Sequence, residues 1–139
     1  NEMITALCLA AKRGVDVKII MPHIPDKAYA FMLAKTYYGV LLEAGVKIYE
    51  YTPGFVHAKV FSSDGIRGVV GTINLDYRSL YLHFECAAYF YRVPEIARIE
   101  EDFQQTLAKC QKVTVQEVNS RPLLHKIGGR LLRLFAPLM

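Results

Sequence analysis

A short phrase occurs twice near the start of the chain, and it narrows the fold more than any other feature. Arg13-Gly14-Val15-Asp16-Val17-Lys18-Ile19 and Ala44-Gly45-Val46-Lys47-Ile48 each follow a stretch of helical periodicity and lead into an apolar, β-branched run. Two helix–glycine–strand units in succession require crossover connections, and crossovers build a parallel sheet. The first unit reads as a helix over 2–13, with Met3, Ala6, Leu7, Ala10 and Ala11 on one face. Gly14 follows at the C-cap position, then a strand over 15–21 that Pro22 closes. In the second unit Asp26 is a plausible N-cap, the helix spans roughly 27–44, and the strand spans 46–51. The expectation is an α/β fold, with a mixed, mostly parallel sheet flanked by helices.

Beyond residue 51 the pattern changes. HAKVFSS (57–63) and GVVGTI (68–73) read as two short strands joined by Asp64-Gly65, a strong hairpin signal. FECAAYFY (84–91) is a further strand. Pro94 opens a helix, with Glu95 near its start and Lys109 and Lys112 near its end, as the helix dipole favours. Its apolar stripe is Ile96, Ile99, Phe103, Leu107 and Cys110. Residues 113–120 read as a linker with a short polar turn. A last helix begins at Arg121, with Leu123, Leu124, Ile127, Leu131, Leu134, Phe135 and Leu138 on one face and Lys126, Arg130 and Arg133 on another. The chain thus divides into a domain over 1–112 and a tail over 113–139.

Charge bears on partners. Of 17 basic residues, Arg121, Lys126, Arg130 and Arg133 follow the last of the 13 acidic ones, so the body is neutral and the tail carries the whole net charge of +4. A neutral body argues against nucleic acid, since a polyanion is bound through many phosphate contacts. A basic, apolar-striped tail is the pattern of a helix lying on a membrane surface. No run of about 18 apolar residues is present, and no CxxC pair occurs among Cys8, Cys86 and Cys110. Three reduced, partly buried thiols are expected, and neither a zinc site nor a disulfide framework.

The chemistry concentrates in residues 57–85. Successive strand side chains alternate faces, so His57 and Lys59 point the same way. An imidazole beside an ammonium makes a poor core and a good anion site: the lysine neutralises a phosphate oxygen, and the histidine attacks phosphorus or protonates a leaving alcohol. A hairpin brings Gly71, Thr72 and Asn74 back towards His57, where a close backbone, a hydroxyl and an amide can hold further phosphate oxygens. Asp64 falls at the far turn and is given a structural role. A working histidine needs its second nitrogen fixed, and Glu85, a carboxylate in an apolar strand, is the candidate.

His57, Lys59, Asp64, Gly71, Thr72 and Asn74 together resemble the HKD motif of the phospholipase D superfamily, which often has Ser where this chain has Thr72. LLEAGVKIYEYTPGFVHAK (41–59), GTINLDYRS (71–79) and the ending Arg133-Leu134-Phe135-Ala136-Pro137-Leu138-Met139 look very like bacterial cardiolipin synthases. The resemblance implies a phospholipase D-like half-domain, the C-terminal half of such an enzyme, and a two-step phosphatidyl transfer with no metal and no cofactor. One histidine of a two-motif site becomes a phosphohistidine and the other protonates the departing alcohol. By that analogy His57, in a second motif, is the general acid and then the base. His23, His83 and His125 lack a lysine two residues on, so only one motif is present. A complete site needs an N-terminal HKD half of a parent protein or a second copy of this chain.

Other candidates are secondary. Arg78 is a possible contact for a lipid phosphate, weighed equally against a surface salt bridge. Tyr38 is a weaker substrate-binding candidate on a mostly apolar helix, where a core role is commoner. Lys126, Arg130, Arg133 and Phe135 are the expected membrane contacts, with anionic phospholipid (phosphatidylglycerol, cardiolipin) as the partner and the bacterial cytoplasmic membrane, approached peripherally, as the location. A phospholipase D-type hydrolase or nuclease, or an inactive membrane-binding fragment, are the alternative readings.

Overall fold

A computed structural model describes residues 2–120 and residue 128. The repeated phrase forms what it predicts. Helix α1 (Glu2–Lys12) leads to β1 (Lys18–Pro22); α2 (Ala28–Lys35) and α3 (Tyr38–Glu43) lead to β2 (Lys47–Tyr51). β1 and β2 pair in parallel, with Lys18 opposite Lys47 and Pro22 opposite Tyr51. Gly14 and Gly45 both take positive φ, 91° and 98°, the left-handed turn that lets a helix stop and a strand begin. The equivalent positions of the two units thus adopt equivalent backbone.

The second helix departs from its expected span of 27–44. It breaks into α2 and α3, and Thr36 sits at the break with its hydroxyl donating to the Leu33 carbonyl at 2.6 Å. Such back-bonding competes with the helical ladder. Asp26 is not the N-cap: Lys27 holds that position, without a side-chain cap bond.

The remaining strands correct the expectation of a mostly parallel sheet. β3 (Lys59–Ser63), β4 (Arg67–Gly71) and β5 (Ala87–Tyr91) form a separate, wholly antiparallel sheet in the order β3-β4-β5. α4 (Tyr77–Tyr81), a single turn the sequence reading missed, lies between β4 and β5. α5 (Glu95–Leu107) ends earlier than its apolar stripe suggests. Cys110 belongs to β6 (Cys110–Lys112), which joins the first sheet antiparallel to β2 in the order β1-β2-β6. β1–β2 is therefore the one parallel pairing among the described residues, and the α/β class stands with two small sheets in place of one.

The core lies over the first sheet. Tyr38, Leu41, Val46, Ile48 and Val113 are buried together, with Ile4, Leu7, Ala11 and Val118 packed against them. Val113 and Val118 show that 113–119 is no linker. Val113 donates its N–H to the Ile48 carbonyl at 2.9 Å, and α6 (Val115–Asn119), held by a capping box between Thr114 and Glu117, packs on α3. Ile96 of α5 is fully buried against the second sheet, where its Cγ1 is 3.6 Å from a Cβ position at Gly68. The expected C-terminal helix, with Lys126, Arg130, Arg133 and Phe135, lies outside the described residues.

Candidate active site

The β3–β4 hairpin builds the site from its register. Lys59, first residue of β3, pairs with Gly71, last of β4, so both ends of the motif meet at one end of the hairpin. Asp64 and Gly65 turn the other end at φ 55° and 65°, a primed turn suited to the strand twist. Asp64 therefore lies roughly 16 Å along the strand from Lys59, at about 3.3 Å per residue. Its carboxylate accepts from the Ser63 hydroxyl at 3.0 Å, and it is exposed at the turn.

His57 precedes β3 and is exposed, with its ring stacked on Phe55 at 5.7 Å between centroids. Lys59 donates from Nζ to the His57 carbonyl at 2.7 Å. Burial pushes the Lys59 ammonium below the usual lysine range, while Asp26, Glu85 and Asp76 pull the other way. Gly71 is here because nothing larger fits: a Cβ would stand 2.4 Å from the Cys86 carbonyl oxygen and 2.6 Å from the Ala87 Cα.

Glu85 is engaged differently from the expectation. Its carboxylate accepts from the Thr72 hydroxyl and lies 3.9 Å from His83 Nδ1, and among the described residues it makes no bond to His57. The Thr72 hydrogen bond, then one from Ser79, with His83 and Lys59 behind them, hold the Glu85 carboxyl below the usual range. The role of fixing His57 is therefore corrected for Glu85: Thr72 and His83 stand nearer to it. Thr72 is likewise committed within the protein, since its oxygen also accepts from the Cys86 N–H at 3.1 Å. Asn74 donates to the Ser79 hydroxyl at 3.3 Å, and the buried Ser79 is fixed by its own N–H bond to Asp76, the α4 N-cap, at 2.7 Å. Arg78 follows on α4, exposed, and donates from Nε to His83 Nε2 at 2.6 Å.

Tyr38 does not reach this site. It is 2% exposed in the core, and its hydroxyl donates to Glu50 at 3.2 Å, so the substrate-binding expectation is withdrawn. Glu50, which the sequence reading passed over, is a buried carboxylate held by Tyr38, by Lys35 at 3.2 Å and by His23 Nδ1 at 2.9 Å. The signal was available: Val46, Ile48 and Glu50 alternate on the buried face of β2. Ser79 was missed, and His83 lacked a named partner, because the α4 turn that brings their partners near is not revealed by periodicity. Cys8 and Cys110 are half-buried free thiols, and Cys86 is exposed. Among the described residues no three His, Cys, Asp or Glu side chains gather as a metal site, and no helix is long and apolar enough to cross a membrane.

Known proteins resemble this chain over its whole length. A Streptococcus mutans protein described as uncharacterized is 57% identical over 139 residues, all of this chain and 30% of that protein. A cardiolipin synthase of Clostridium perfringens is 43% identical over all of this chain and 29% of its own length. One from a Geobacillus species is 38% identical over all of this chain and 28% of its own. The chain therefore spans less than a third of the length of these curated relatives. A crystal structure of a phospholipase D family member, Nuc from Salmonella typhimurium, superposes with a TM-score of 0.69 at 23% identity, over 81% of this chain and 73% of that one, a likeness of fold. Residues 1–107 match the family model described as cardiolipin synthase, PLD-like domain, and the chain belongs to that family.

Proposed function

We propose that this chain supplies one HKD half of a phosphatidyltransferase that joins two phosphatidylglycerols into cardiolipin and releases glycerol. The reading rests above all on the Lys59–Gly71 pairing, which gathers His57, Lys59, Thr72 and Asn74 at one hairpin end in a chain matched throughout by cardiolipin synthases. One histidine of the complete site attacks phosphorus, forming a P–N bond as the P–O bond to glycerol breaks. The other gives its proton to the departing oxygen. It then takes a proton from the hydroxyl of a second phosphatidylglycerol, whose oxygen displaces the phosphohistidine nitrogen to give cardiolipin. His57 fills the acid-then-base role. Lys59 neutralises charge on the phosphoryl oxygens.

The other histidine comes from an N-terminal HKD half of the parent protein or from a second copy of this chain. Arg78 meets a lipid phosphate. Lys126, Arg130 and Arg133, with Phe135, hold the protein peripherally on the bacterial cytoplasmic membrane, each cation contributing about 1 kcal/mol against anionic lipid. The test is phosphatidylglycerol vesicles with the parent protein, wild type and His57→Ala, followed by lipid product and released glycerol. Cardiolipin lost in the variant is the expected result. Phosphatidic acid would make the enzyme a hydrolase, and no turnover would sink the assignment.

A further inference from the structure

His83 has a bonding pattern that serves its neighbour. Its Nε2 accepts from Arg78 Nε at 2.6 Å, and its main-chain N–H donates to the Arg78 carbonyl at 2.9 Å. A ring nitrogen that accepts carries no proton, so the neutral imidazole holds its proton on Nδ1, the nitrogen that faces Glu85 at 3.9 Å. Glu85 in turn is fixed by Thr72, next to Gly71 and across the hairpin from Lys59. Arg78, His83, Glu85 and Thr72 thus lie in one row, hydrogen-bonded at both ends with a 3.9 Å approach between His83 and Glu85, that ends at the HKD lysine's partner strand. With Nε consumed, the guanidinium keeps its two terminal nitrogens, whose four N–H groups no described residue engages. Two parallel N–H donors are the geometry that takes two oxygens of one phosphate.

We propose that Arg78, held through Nε by His83, is a bidentate subsite for a second phosphodiester anion beside the HKD site, and that His83 is its positioning residue. This rests on the transfer reading for its meaning: a reaction between two anionic lipids needs a counter-charge for the phosphate that does not react. Pinning Nε leaves the fork with one orientation, so less freedom is lost when the anion arrives. A second proton on the imidazole would set an N–H against an N–H and release the arginine. The charged groups facing the ring among the described residues are Arg78 from α4 and Glu85 from the segment before β5.

The test has two arms. In the first, ¹⁵N NMR of this chain assigns the His83 tautomer, and titrations with glycerophosphoglycerol, a soluble phosphodiester, and with inorganic phosphate follow the Arg78 side chain. The Nδ1–H tautomer and a preference for the diester are expected. His83→Ala weakens diester binding about tenfold, the scale of one charged hydrogen bond, with the unfolding midpoint unchanged. His83→Gln restores binding to within about threefold, because its amide oxygen stands where Nε2 does. An Nε2–H tautomer, equal binding by His83→Ala, or equal affinity for inorganic phosphate overturns the proposal. In the second arm, His83→Ala in the parent protein raises KM for phosphatidylglycerol about tenfold with kcat nearly constant, again as for one charged hydrogen bond. A kcat loss at constant KM overturns the positioning role, whereas a wild-type parent that makes no cardiolipin defeats the transfer reading and leaves the first arm to decide the subsite.

Discussion

Replacing Gly71 by alanine tests the hairpin and the site together. A Cβ there would lie 2.4 Å from the Cys86 carbonyl oxygen, 2.5 Å from the Ala87 Cβ and 2.6 Å from the Ala87 Cα. Ordinary contact begins near 3.4 Å, so β5 must retreat by about 1 Å, and two of the three obstacles are backbone that no rotamer change can move. Retreat stretches the Thr72 N–H bond to the Cys86 carbonyl, now 3.0 Å, beyond hydrogen-bonding range. Overpacking costs about 1–3 kcal/mol. Thr72 is exposed, so water takes the freed N–H and the lost bond adds about 0.5–1.5 kcal/mol. The expected loss is therefore about 1.5–4.5 kcal/mol, a large share of the roughly 5–15 kcal/mol that holds a domain together. Urea unfolding of this chain, followed by far-UV circular dichroism, measures it. Gly68→Ala is the control, because its nearest neighbour is the Ile99 Cδ1 at 3.2 Å, the end of a flexible side chain. Its cost should stay below about 1 kcal/mol. Equal losses in the two variants, or a Gly71→Ala protein as stable as wild type, would refute the close-approach argument.

Other outcomes follow from the packing and the charges. Ile96→Ala, at a fully buried position, should cost about 3 kcal/mol in the same unfolding assay. Tyr38→Phe should cost about 1–2 kcal/mol by removing a donor from buried Glu50, and should leave KM of the parent protein unchanged. Asp16, hydrogen-bonded to Lys18 and Lys47, has its carboxyl lowered from 3.8 to about 2. A depressed carboxyl stabilises the fold above its unfolded value and stops doing so as pH falls through the folded one. The stability gap between wild type and Asp16→Asn should thus be full above about pH 5 and close towards pH 2, which unfolding curves across that range would show. Lys59, lowered by burial, should lose its proton before Lys47, which Asp16 raises, and NMR of ¹³C-labelled lysines would order the two.

What the sequence revealed was local. The repeated glycine phrase predicted α1–β1 and α3–β2 because one chain segment contained both the periodicity and the stop signal. The Asp64-Gly65 turn predicted the hairpin for the same reason, and with it the meeting of Lys59 and Gly71. The failures were relations across distance. Cys110 fits a helical stripe and a strand equally well, and its pairing with Tyr51 decides between them. Glu85 suited His57 by type, but Thr72 and His83 stand nearer. Tyr38, a weaker ligand candidate beside the commoner core role, proves to be core, its hydroxyl taken by Glu50 of β2, twelve residues on.

The pairing of β6 with β2 has a consequence for how such a protein can change. Tyr51 stands opposite Cys110, and the Thr52 hydroxyl donates to the Lys109 carbonyl at 3.3 Å, so the chain leaves the first sheet and returns to the same place. Everything between, the whole HKD hairpin with α4, β5 and α5, is an excursion whose two ends are clamped side by side. Closing a longer or shorter excursion changes the closure cost slowly, by about 0.6 kcal/mol per doubling of length. Changes of length within it reach the β1-β2-β6 frame chiefly through α5, which packs on β2. The hairpin segment is thus tied to the frame at its two ends and along α5, and its length is free to vary between those ties.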